Sequence, residues 1–187
     1  MATYVVEAPA AVVTWAEAKA HLRLDGDDEQ TYVETLIAAA TAWIDGPSGW
    51  LGRAIGLQEL VTVFDSFDDP LMLMAPVDPE SVEIRYVDAD GVEQALPSAA
   101  FRLSGPPSCP RVIAVHGVAF PSARCEADAI RVSYQAGYAK PPAPIMQAIL
   151  LLVGQWFEAR EAVNIGGTVN VLPFTVEALL SPYRVAR

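Results

Sequence analysis

Histidine, cysteine and basic side chains are scarce in this 187-residue chain, and each scarcity removes a class of function. The two histidines, His21 and His116, and the two cysteines, Cys109 and Cys125, lie far apart in sequence. No CxxC pair is present and no histidine sits at ligand spacing from a thiol, which removes a zinc site. Spacing leaves a Cys109–Cys125 disulfide open, but in a reducing cytosol two free thiols are the expectation. No Gly-x-Ser-x-Gly elbow presents a nucleophile. Asn164-Ile165-Gly166-Gly167-Thr168 lacks the lysine and the spacing of a phosphate-cradling loop and reads as a flexible joint. With 12 Lys and Arg against 23 Asp and Glu, the net charge is −11 and no basic stripe forms. Tight binding to a phosphate backbone needs such a stripe, whereas a negative wall repels a duplex and lets it slide past. Long apolar runs are also missing. The longest, Ile145 to Phe157, is broken by Gln147, Gly154 and Gln155 and is too short to cross a bilayer, so no membrane partner is expected. Met1-Ala2-Thr3-Tyr4 lacks the basic stretch and apolar core of a secretion leader, which places synthesis and early residence in the cytoplasm.

What the chain has in abundance is apolar surface. Hydrophobic residues make up 52% of it despite the charge, the balance of a subunit that buries part of its exterior against neighbours. The excess acid lies in residues 1–140, while residues 141–187 carry three acidic and three basic side chains. Thr14 with Glu17 is a capping-box pair opening a helix that runs to about Leu24, and Asp27 with Gln30 repeats the device. The second helix carries Val33, Leu36, Ile37, Ala40 and Ile44 on one stripe and ends at Gly46-Pro47. A third, from Pro144 to about Arg160, carries Ile145, Ile149, Leu152, Val153 and Trp156 on one face. It is apolar on the other side as well, through Met146, Leu150, Leu151 and Phe157, so it needs partners on more than one face.

Between the second and third helices the period changes to two. Leu57–Phe64, Leu71–Met74, Ser81–Val87, Gly91–Leu96, Phe101–Ser104, Arg111–Val115 and Ala129–Gln135 read as short strands. Asp88-Ala89-Asp90-Gly91 is a hairpin turn signal. These elements predict an α+β chain that is mainly a helical bundle domain, interrupted by a small antiparallel β insertion and closed by an extended C-terminal tail. The expected boundaries are residues 1–56 and 139–163 for the helical domain, 57–138 for the β insertion and 164–187 for the tail. That tail follows a glycine pair and holds an apolar helical turn too short to stand alone, so it is expected to order on a partner.

Candidate chemistry is thin. Asp25, Asp27, Asp28 and Glu29 fall short of a twelve-residue calcium loop, and helix capping with a favourable helix-dipole contact explains them. A small hydrolase built on His21 or this cluster is the weakest of the functional readings. No cofactor is implied. Trp50, in the glycine-rich stretch Ser48-Gly49-Trp50-Leu51-Gly52, is the candidate inter-subunit contact, with Arg53 beside it.

Read in order, a series of six stretches resembles the head–tail connector (adaptor) family of tailed phages and gene transfer agents. The first four are Thr14-Trp15-Ala16-Glu17-Ala18-Lys19-Ala20-His21-Leu22-Arg23 with the acidic loop after it, Leu36-Ile37-Ala38-Ala39-Ala40, Gly52-Arg53, and Tyr134-Gln135-Ala136-Gly137-Tyr138. Glu158-Ala159-Arg160-Glu161 and Leu179-Leu180-Ser181-Pro182-Tyr183-Arg184 complete the series. The resemblance implies a virion subunit at the head–tail interface, a homo-oligomeric ring, dodecameric like the portal beneath which it sits. It further implies portal docking through Leu179, Leu180, Pro182, Tyr183 and Arg184, and a downstream tail-completion or stopper protein as the next partner. DNA would pass through the channel without specific binding. The alternative is a head-completion or tail-terminator protein of a neighbouring ring.

Overall fold

The structure, a computed structural model, describes residues 1–9, 11–159 and 174–185. The chain divides into two compact units, residues 1–10 with 53–139, and residues 11–52 with 140–187.

The first unit is built on β1 (Ala2–Glu7), β2 (Gln58–Phe64), β3 (Glu83–Val87), β4 (Glu93–Leu96), β5 (Phe101–Ser104), β6 (Arg111–Ala114) and β7 (Ile130–Ala136). Five of these form one antiparallel sheet in the order β1-β2-β7-β3-β4, and β5 pairs with β6 separately. β2 and β7 alternate buried and exposed positions along most of their length, as strands with one face on a core do. Their inward residues Leu60, Phe64, Ile130, Val132 and Tyr134 meet Leu71, Leu73, Met74, Ile84, Leu96 and Phe101 in one cluster. Tyr134 is 1% exposed and its hydroxyl is satisfied, accepting from the Met74 N–H at 2.9 Å and pairing with Thr62 Oγ1 at 3.0 Å. The β3–β4 hairpin turns at Asp88 and Gly91, where φ of +83° favours glycine. The Asp88 side chain accepts from the N–H groups of Asp90 and Val92.

The second unit holds α1 (Trp15–Leu22), α2 (Gln30–Ile44), α3 (Ala143–Glu158) and α4 (Phe174–Leu180), with α1 and α2 packed on α3 and α4 on α3. The Thr14–Glu17 capping box is complete. Along α2, Val33, Ile37, Ala40, Thr41 and Ile44 are buried, and along α3, Ile145, Ala148, Ile149, Leu152 and Val153.

Several expectations are corrected. The chain is not mainly a helical bundle: its described residues are 32% helix and 25% strand, and the five-stranded sheet carries a core of its own. The sheet grows beyond a small insertion because β1, from ahead of the first helix, pairs with β2 from Ala2↔Val63 to Glu7↔Glu59. The C-terminal segment is not extended where it is described, since α4 is followed by a 3₁₀ turn at Ser181–Tyr183 and residues 160–173 lie outside the described residues. Nor does Asp27 cap α2. Glu29 takes the N-cap position but its side chain does not cap the helix, and Asp27 instead receives the Lys19 ammonium at 2.7 Å. Leu71–Met74 forms only an isolated bridge at Met72↔Arg111, tied by Leu73 N–H to the Pro110 carbonyl at 2.9 Å and Val112 N–H to the Leu71 carbonyl at 2.9 Å.

Candidate functional site

In the second unit the structure brings together two groups of residues that the sequence singled out separately. The turn after α2 folds back on that helix, with Trp50 N–H donating to the Trp43 carbonyl at 3.0 Å and Leu51 N–H to the Ile44 carbonyl at 3.2 Å. This holds the Trp50 ring half-buried at the unit surface. The C-terminal segment arrives there. The Arg184 guanidinium lies over the Trp50 ring, 4.3 Å from its centroid, and Val185 N–H donates to the Leu51 carbonyl at 2.9 Å. Cation–π stacking on an indole holds an arginine in place while leaving its N–H groups available to a carboxylate.

Within that segment each residue has its own role. Val176 and Leu180 are fully buried and anchor α4. Ser181 Oγ donates to the Glu177 carbonyl at 2.7 Å and finishes the helix. Leu179 and Tyr183 are half-buried, and Pro182 and Arg184 are exposed. Residues 174–185 thus pack on their own unit, where the sequence suggested order only on a partner.

Arg53 lies in the other unit and is 8% exposed. Its Nη1 donates to the Tyr138 hydroxyl at 2.6 Å, and Tyr138 N–H donates to the Ile55 carbonyl at 2.8 Å. The Gly52-Arg53 and Gly137-Tyr138 stretches, 85 residues apart, therefore meet in a structural joint. Gly137 is needed there, because at φ +113° an added Cβ would collide with the Gly56 carbonyl.

Elsewhere the charged groups are solvated. Backbone and hydroxyl hydrogen bonds from Thr14 hold the Glu17 carboxyl below its ordinary pKa, the Lys19 hydrogen bond and charge do the same for Asp27, and the Val92 N–H leads the effect on Asp88. His21 and His116 are exposed, and Cys109 and Cys125 are free thiols. Among the described residues, no group of three or more His, Cys, Asp or Glu could hold a metal ion, and no helix is long and apolar enough to cross a membrane. One strip was not singled out from sequence: Tyr4, Val5 and Val6 of β1 are 55%, 43% and 59% exposed on the sheet edge.

Residues 11–186 match the head completion protein family model, and the chain belongs to that family. The family is structural and not enzymatic. No curated protein matches the chain. Among solved structures, a chain from the neck of an empty gene transfer agent particle, computed with C6 symmetry, is similar at a TM-score of 0.75 and 27% identity, covering 100% of this chain and 97% of that one. A chain from the virion of a native gene transfer agent particle is similar at 0.72 and 25%, with the same coverage. A chain from the neck of a native particle computed with C12 symmetry is similar at 0.71 and 25%.

Proposed function

We propose that this chain is a structural subunit of the neck that joins head to tail in a phage-type particle, a tailed phage or a gene transfer agent, and that it acts as one copy in a ring. The observation that carries this reading is likeness over the full length, since one neck chain covers 100% of this one at a TM-score of 0.75. The C6 and C12 symmetries of those necks support a cyclic arrangement. In its finer form the ring lies beneath the portal, extends the DNA channel and presents a platform to a stopper or tail-completion protein. Before assembly the subunit resides in the host cytoplasm.

Docking on the portal is assigned to the outward groups of the C-terminal segment, Leu179, Pro182, Tyr183 and Arg184, with Leu180 holding the segment from inside. Trp50 orients Arg184 for a carboxylate on the partner, and the Trp50 turn borders the neighbouring copy. Arg53 keeps its assignment next to that turn only indirectly, by stiffening the joint with Tyr138. The net charge of −11 supports a channel wall that DNA slides along without binding. A second reading, a head-completion protein of an adjacent ring, is favoured by the description of the family itself.

Deleting the gene and restoring it on a plasmid tests the neck role. DNA-filled heads without tails are expected on deletion, and tailed particles on restoration. Co-purification with the portal separates the two readings, because only the ring beneath the portal contacts it directly. Normal tailed particles in the deletion strain would contradict both.

A further inference from the structure

We infer that the outer edge of β1 is where one copy of this chain meets the next; the inference rests on the ring reading and names the surface that closes it. β1 is the first strand of the sheet order and, among the described residues, pairs only with β2, which leaves the other side of its backbone open to a further strand. Proteins that remain alone blunt such an edge with lysine, proline or inward charges. From Ala2 to Val6 this strand has no charged side chain and no proline; its exposed Glu7 and the register shift at Val6 both lie at its far end. Instead, Met1, Tyr4, Val5 and Val6 are 64%, 55%, 43% and 59% exposed. Leu57, one residue ahead of β2, adds a further side chain at 53%. The other large exposed apolar side chains among the described residues (Met72, Val92, Val118 and Phe174) are separated along the chain.

The ring reading supplies the occupant, a second copy of this chain. Two copies each carrying −11 repel, which favours a contact through surface that is itself uncharged. The β1 strip is such a surface, whereas a basic partner would gain more from the acidic faces elsewhere. Strand addition there supplies main-chain hydrogen bonds to the open side, and Tyr4 and Val6 supply apolar area beside them. In a cyclic ring the contact is heterologous, so β1 meets a different surface of the next copy and not its equivalent β1.

The test measures the mass of the full-length chain by native mass spectrometry and sedimentation velocity over a wide concentration range. Wild-type protein is expected to assemble beyond the dimer. Tyr4→Lys and Val6→Lys should each weaken association at least tenfold, with circular dichroism and melting temperature unchanged. Val6 is opposite a register shift and has no paired residue in β2, so Val6→Lys leaves the sheet pairing intact. Met72→Lys and Val118→Lys, equally apolar positions away from β1, should associate like wild type. Unaltered assembly of both β1 variants would overturn the inference and leave the ring reading standing. A mass that stops at two copies would overturn it too, by indicating equivalent β1–β1 pairing. A chain that stays monomeric throughout would also overturn it, and the ring reading would then be judged by particle assembly alone.

Discussion

Replacing Leu180 by alanine separates a C-terminal segment that belongs to the subunit from one that only visits it. Leu180 is fully buried and sits at the end of α4, the helix packed on α3. Truncating a buried leucine removes its transfer free energy and leaves a cavity, about 2–5 kcal/mol together. For a chain of this size that is a fall in Tm of about 4–20 °C. Arg184→Ala removes only a stacking contact at an exposed side chain, about 0.5–1 kcal/mol. Deleting residues 181–187 removes that contact and the Val185–Leu51 backbone hydrogen bond, itself about 1 kcal/mol. The deletion should therefore cost about 1–2 kcal/mol, between the two point variants. Urea denaturation followed by far-ultraviolet circular dichroism and tryptophan fluorescence gives all three values. A cost below about 0.5 kcal/mol for Leu180→Ala would refute the reasoning, because so small a loss is typical of exposed sites. The same would follow if the deletion were as costly as Leu180→Ala, since most of the stability would then lie beyond the anchor.

Four further outcomes follow from the geometry. Tyr138→Phe leaves a buried guanidinium N–H without its acceptor and should cost about 1–3 kcal/mol in a urea titration, with no change in fold. Gly137→Ala puts a Cβ against the Gly56 carbonyl at a positive φ and should abolish soluble expression or lower stability by more than about 4 kcal/mol, read from yield and melting temperature. The Glu17 carboxyl, held below its ordinary 4.5 by Thr14, contributes stability that is fully present above that pH and is lost as pH falls through its lower folded value. An NMR titration of Glu17 should show the lowered value, and Thr14→Ala, which removes the hydroxyl hydrogen bond but keeps the backbone N–H bond, should raise it only part of the way. Duplex DNA should bind more weakly than about 10⁻⁴ M at physiological salt, the edge of the non-specific range, in a fluorescence polarisation assay.

Much of the architecture was legible where a single stretch carried its own signal. The Asp88–Gly91 turn, the Thr14–Glu17 capping box and the alternation of β2 and β7 depend on neighbours within a few residues. β1 was not legible, because Tyr4, Val5 and Val6 run apolar without alternation and become a strand only by pairing with residues 59–63. That one long-range pairing makes the difference between a helical protein with an insertion and a chain of two comparable units. Asp27 shows a different limit. An acidic residue before a helix suits both capping and an ion pair, and the position of Lys19 on α1 decided for the ion pair. For the candidate site, sequence could name Trp50 and Arg184, but not their stacking across 134 positions, nor that Leu180 points into its own unit. Apolar residues at a chain end look alike whether they cover their own core or a partner's.

The central claim is a place in the particle, and a cryo-EM reconstruction of the head–tail junction tests it most directly. Particles made with this chain should show, around the DNA channel at that junction, a cyclic ring of density into which the five-stranded sheet unit and the helical unit each fit. Particles from the deletion strain should lack that ring. A wild-type junction in which neither unit fits any density, or a ring that persists when the gene is removed, would contradict the account.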